Sequence, residues 1–159
     1  MMYPARIALL TLGMCIALCA VALAADAKKN ADATYVGTAA CQQCHDQEHA
    51  MFTKHSKKAH SKQNVEKMRS KLTQAELESC YQCHTTGYGQ KGGFVSYEKT
   101  PQLGDVGCET CHGPGSVHVE SGDTADITRK PHVDSCIACH NAERIQNFSF
   151  RPLRYSGAH

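Results

Sequence analysis

Residues 108–112 read Cys108-Glu109-Thr110-Cys111-His112, and the same spacing recurs at Cys41-Gln42-Gln43-Cys44-His45, Cys80-Tyr81-Gln82-Cys83-His84 and Cys136-Ile137-Ala138-Cys139-His140. These four pentapeptides use every cysteine beyond residue 24. Two thiols three positions apart lie on one side of a helical turn. There they can add to the two vinyl groups of one porphyrin. The His that follows the second Cys is then held under the iron as proximal ligand. Four Cys pairs could also build two zinc sites of four thiolates each, or four short-loop disulfides. Neither needs a His after every second Cys, and all four pairs have one. The pattern therefore predicts four covalently bound haem c groups, with His45, His84, His112 and His140 as proximal ligands.

The rest of the composition agrees with a chain organised by what it binds. Ten Cys and ten His make up an eighth of the 159 residues. There is no Trp, and large aliphatics are few outside the first 24 residues, so a core of side chains alone would be thin. Seventeen Lys and Arg against fifteen Asp and Glu give a formal charge of +2, which argues against a strongly basic nucleic-acid binder. The predicted fold is mainly α with long loops, a small multihaem cytochrome c fold in which four macrocycles replace the aliphatic core.

Met1 to Ala24 reads as a signal peptide. Arg6 is its positive charge, Ile7 to Leu23 is an apolar run, and Ala22-Leu23-Ala24 is a small-x-small cleavage box. Cleavage after Ala24 would deliver the remainder to the periplasm, an oxidising compartment. The competing interpretation is an uncleaved anchor, the only route by which this chain would meet a membrane. Residues 25–34 are small and polar and predict a flexible start, followed by one haem-binding domain over 35–159.

Local signals place the motifs. Thr38 to about Ser61 has few breakers and predicts a helix. Thr73-Gln74-Ala75-Glu76 fits a capping box opening a helix that runs into Cys80. Four glycines between Gly87 and Gly93 predict a turn or loop, and Phe94-Val95-Ser96-Tyr97 a short strand. Gly113-Pro114-Gly115 ends the helix that carries Cys111, and Asp134 is placed to cap a last helix entering Cys136.

Each iron can take a second axial ligand. Beyond the leader only Met51 and Met68 could supply a thioether, whereas His49, His55, His60, His118, His132 and His159 lie outside the motifs. Bis-His ligation accounts for that excess and predicts low, mostly negative potentials. His49 and His132 sit within four residues of a motif and are assigned to the surface. Of His55 and His60, on one predicted helix, a single ligand is expected.

Two stretches carry a more specific signal: Gly87-Tyr88-Gly89-Gln90-Lys91-Gly92-Gly93, and Val106-Gly107 running through the third motif to Gly113-Pro114-Gly115. In these the chain resembles the tetrahaem cytochrome c-554 family, electron acceptors for hydroxylamine oxidation in ammonia-oxidising bacteria. Looser similarity extends from about Tyr35 to His159. The resemblance implies His60 as a distal ligand, with His55 in reserve. It likewise implies His118 after the Gly-Pro-Gly and His159 after Phe148-Ser149-Phe150. It also implies a five-coordinate iron at the His84 haem. His159 is the last residue, and the link between the last two motifs is shorter than in the family.

The function expected is a periplasmic relay that passes single electrons through closely packed, low-potential haems between a donor and an acceptor redox protein. One alternative is a haem enzyme reducing nitric oxide, nitrite or hydroxylamine at the five-coordinate haem. Another is a haem subunit of a membrane oxidoreductase. No further catalytic constellation is visible: Asp105, Glu109 and His118 near the third motif do not make an acid–base set. The group Lys54, Lys57, Lys58 and Lys62 reads as a docking patch or a solvated helix face.

Overall fold

The computed structural model describes residues 32–142. The chain divides into two compact units, Met1–Ala33 and Thr34–His159. Only Asp32 and Ala33 of the first lie in the described range. The leader, most of the predicted flexible start, Phe148 to Phe150 and His159 lie outside the described residues.

The described part of the second unit is built from short helices joined by loops. They are α1 (Thr38–Cys41), α2 (Asp46–His55), α3 (Ser61–Met68), α4 (Gln74–His84), α5 (Cys108–His112), α6 (Ser116–Ser121) and α7 (Asp134–Ile137). Single 3-10 turns lie at Lys57–His60, Arg69–Lys71, Pro101–Leu103 and Thr124–Asp126. No strand occurs among the described residues, as a helical, loop-rich c-type fold requires.

The longest helix among the described residues, α4, begins as its sequence predicts. The Glu76 amide donates to the Thr73 hydroxyl at 3.4 Å, and the Glu76 carboxylate accepts from the Thr73 amide and hydroxyl at 2.8 Å. Leu77 and Tyr81 on its inner face meet Val65 of α3 and the loop residues Phe94, Tyr97 and Leu103. Aromatic rings dominate this small core. Phe94 meets Tyr81 edge-on at 5.1 Å and Tyr97 at 5.0 Å, the T-shaped geometry that ring quadrupoles favour. The Lys62 ammonium lies 4.7 Å above the Tyr97 ring. Burial, with Tyr81 second, pushes the Tyr97 phenol up to about 12.

The glycine-rich loop 87–93 is a turn, as predicted. A side chain at Gly93 would collide with the Gly87 carbonyl, so the loop closes only on glycine. At the end of α5, Gly113 takes φ 84, the left-handed region that lets the helix stop there.

Three local expectations are corrected. The helix predicted over Thr38 to Ser61 is broken twice. The first motif turns at residues 42–44, and Ser56 is extended, its amide donating back to the Phe52 carbonyl at 2.9 Å. Phe94 to Tyr97 is not a strand, because no neighbouring chain forms a ladder with it. Phe94 donates to the Thr86 carbonyl and Val95 to the Thr100 hydroxyl, so the segment is a loop that buries Phe94 and Tyr97 and leaves Val95 exposed. Asp134 does not cap α7 but is its first residue after Val133. Its carboxylate faces the His132 Nδ1 at 2.9 Å instead.

Candidate haem sites

In the first and fourth motifs the His amide donates to the carbonyl of the first Cys, His45 to Cys41 and His140 to Cys136, both at 2.9 Å. The second motif is the last turn and a half of α4, and the third is the whole of α5. Each motif is thus one helical turn that brings its two sulfurs to one side. α1, α5 and α7, of four or five residues, are too short to hold themselves in water, and each carries a motif cysteine. Their stability must come from what they are attached to.

None of the eight motif cysteines is in a disulfide, and no three His, Cys, Asp or Glu side chains converge as a metal site among the described residues. Four-thiolate zinc sites therefore lack a ligand set there. A haem asks less of the chain, since the porphyrin supplies four ligands and the protein one or two.

Sulfurs of different motifs lie side by side. The Cys41 thiol donates to the Cys108 sulfur. This contact raises the Cys41 thiol and draws the Cys108 thiol down to about 7. Burial, then a hydrogen bond with Cys83, pushes Cys139 up to about 12. Burial and the neighbouring Cys136 raise Cys111. The helices of the first and third motifs pack together, as do those of the third and fourth, and the Cys139 thiol donates to the Gln82 carbonyl in the second motif at 3.9 Å. Thr86, just past the second motif, joins the start of the third. Its hydroxyl donates to the Asp105 carbonyl at 2.7 Å and accepts from the Gly107 amide at 2.8 Å.

The imidazoles of His45 and His118 face each other with centroids 6.2 Å apart and planes at 24°. The separation is of the size that two imidazoles sharing one metal ion would need, with about 2 Å from each ring nitrogen to the metal. The Nδ1 of His118 lies 2.8 Å from the Asp123 carbonyl, and that of His112 lies 2.7 Å from the Thr128 carbonyl. A carbonyl only accepts, so each Nδ1 carries the proton and each Nε2 keeps the lone pair that an iron needs. Burial, with Lys58 nearby, pushes the His140 imidazole down and so favours the neutral ligand form. The buried Nδ1 of His84 meets no partner, while the His84 carbonyl accepts from Ser61 at 2.8 Å.

The other distal candidates are placed differently. The Nε2 of His60 lies 2.8 Å from the Thr53 carbonyl, and His55 is exposed at the end of α2. His49, assigned to the surface from sequence, is half-buried. It lines a cavity of about 160 Å³ with Phe52, Thr53, Asp105 and Val106 among its other walls. His132 is exposed beside Asp134. Glu109, which the sequence placed in no acid–base set, is 2% exposed and ties three chain segments together, a structural role that nothing in the motif spacing marks.

The family described as "Cytochrome c554 and c-prime" matches residues 40–113, which hold the first three motifs. Cytochrome c-554 of Nitrosomonas europaea is 35% identical over 138 residues, an alignment covering 69% of this chain and 59% of that protein. The chain thus spans about three-fifths of the length of that relative. No solved structure matches this chain. The repeated Cys-x-x-Cys-His turns, the facing imidazoles and this similarity lead to one conclusion: the chain belongs to the cytochrome c-554 family and is a c-type cytochrome, which binds haem covalently.

Proposed function

We propose that this protein is a periplasmic tetrahaem relay that takes single electrons from one redox protein and delivers them to another. Cys41/Cys44, Cys80/Cys83, Cys108/Cys111 and Cys136/Cys139 each hold one haem c, with His45, His84, His112 and His140 as proximal ligands. Bound haem supplies an Fe(III)/Fe(II) couple that accepts one electron at a time.

One observation carries the proposal: the helices of the first and third motifs pack together, as do those of the third and fourth, and the Cys139 thiol of the fourth donates to the Gln82 carbonyl of the second at 3.9 Å. Attachment points that close put four one-electron centres in series. His118 completes the first site opposite His45, and His60 and His159 serve two of the others. The iron at His84 is left five-coordinate. Two nitrogen ligands per iron, in place of the Met that raises potentials, keep the series at low potential. The open iron at His84 is the basis of the alternative, reduction of a small nitrogen species.

Mass spectrometry of the purified protein tests this directly. The expected mass is the chain from Ala25 plus four haems that resist acid-acetone extraction. A stepwise potentiometric titration should then consume four electrons per chain. Extractable haem, fewer than four groups, or a protein retained in the membrane with Met1 intact would overturn the corresponding part.

A further inference from the structure

Glu109 stands between the two cysteines of the third motif and is 2% exposed. A carboxylate taken out of water is costly unless its oxygens are fully hydrogen-bonded. Here they are. Its Oε1 accepts from the Val36 amide at 3.0 Å and the Gly115 amide at 2.7 Å. Its Oε2 accepts from the Gly37 amide at 2.7 Å and, at 3.2 Å, from the shared Val36 amide. Every contact is an acceptance, the pattern of an ionised carboxylate.

The three amides belong to strategic places. Val36 and Gly37 immediately precede α1, which ends at Cys41 of the first motif. Gly115 immediately precedes α6, which carries His118. Glu109 itself lies in α5 with Cys108, Cys111 and His112. One side chain therefore fastens the starts of the helices that bear Cys41 and His118 onto the helix of the third motif. The His45–His118 gap is set across this joint. The partners are backbone dipoles rather than a Lys or Arg, so the negative charge is held in place without a countercharge in contact. Its field is felt nearby, where it contributes to raising the Tyr35 phenol and the Cys41 thiol.

We propose that Glu109 is a positioning residue that holds His118 opposite His45, and that its buried charge lowers the reduction potential of the haem bound at Cys108 and Cys111. A fixed anion favours the more positive, oxidised iron, and does so strongly where the surroundings are poorly polarisable. This inference rests on the haem assignment above.

The two roles separate in two variants of the intact, haem-loaded protein. Glu109→Gln keeps the length, removes the charge and gives up one acceptor, because the new amide nitrogen only donates; Glu109→Asp is its control for lost hydrogen bonds. Glu109→Asp keeps the charge but falls short of amides on both sides. The wild type is first weighed for haem content, since a wild type without haem refutes the haem assignment rather than this inference. In Glu109→Gln one midpoint should shift upward in a spectroelectrochemical titration, the others moving less. In Glu109→Asp the midpoints should stay near wild type. One low-spin signal in electron paramagnetic resonance should change instead, as the His45–His118 pair loses its register. Unmoved midpoints in Glu109→Gln overturn the electrostatic role, and an unchanged low-spin signal in Glu109→Asp overturns the positioning role. Should Glu109→Gln fail to accumulate, Gly115→Ala gives a milder perturbation, because its Cβ would press on Oε1 at 3.1 Å while leaving the charge intact. A changed low-spin signal in Gly115→Ala beside near-wild-type midpoints then supports the positioning role. A wild-type signal in Gly115→Ala overturns that role, as an unchanged one in Glu109→Asp does.

Discussion

The rings of His45 and His118, 73 positions apart in the chain, face each other at 6.2 Å between centroids. His45 follows the second cysteine of the first motif. His118 comes from α6, beyond the third motif, and its ring is oriented by the Asp123 carbonyl at 2.8 Å. A pair of rings drawn from the two ends of a long stretch of chain stays together only while both ends are held. Each of the following expectations tests one such dependence.

Replacing His118 by Ala should convert one low-spin iron to high-spin while the other axial pairs persist. The reduced variant should bind one more equivalent of carbon monoxide per chain than the wild type. An unchanged paramagnetic resonance spectrum would mean that another side chain serves the first iron.

The wild-type reduced protein should itself bind about one carbon monoxide per four haems, at the His84 iron. His60→Ala should raise this to two, and His55→Ala should leave it at one. The reverse result would exchange the roles of these two residues. His60 would then keep only its 2.8 Å contact with the Thr53 carbonyl.

Phe94→Ala should cost about 3–5 kcal/mol in guanidinium unfolding, because a ring 2% exposed leaves a cavity among Tyr81, Tyr88 and Tyr97. Tyr81 lies inside the second motif, so the spectrum of that haem should change as well. Val95→Ala is the control. Val95 is 55% exposed, and its replacement should stay within about 0.5 kcal/mol.

The capping box gives a pH-dependent signature. Thr73→Ala should destabilise α4 by about 1 kcal/mol, read as a lower melting temperature. The Thr73 amide, and then its hydroxyl, hold the Glu76 carboxyl below its usual range. A depressed carboxylate stabilises fully above its unfolded pKa, and that contribution is lost as pH falls through the folded value. The melting-temperature gap between wild type and Glu76→Gln should therefore be largest near neutrality and close on acidification. A gap that is constant with pH would show that the carboxylate's charge is not what secures the cap.

Some of this protein is local chemistry and could be read directly. Cys80 and Cys83 are brought to one side by a helical turn whatever surrounds them. Thr73 and Glu76 find each other across three residues, and Gly113 stops a helix by its own backbone freedom. The haem attachment points, the longest helix and the helical, loop-rich class follow from interactions of that range. Elements whose partners are remote followed a different rule. Phe94 to Tyr97 has an extended pattern, but extended chain becomes a strand only when another chain lies alongside, and here Thr86 and Thr100 take its amides instead. The helix expected through Ser56 breaks there because Ser56 is extended, its amide bonding back to the Phe52 carbonyl. The meeting of Cys41 with Cys108, of His45 with His118, and of Glu109 with Val36, Gly37 and Gly115 spans up to 73 positions. A motif's spacing records the covalent geometry within one turn and carries nothing about which turn lies across from it. That pairing is decided only when the loops close, and it is the pairing that sets the order of the sites.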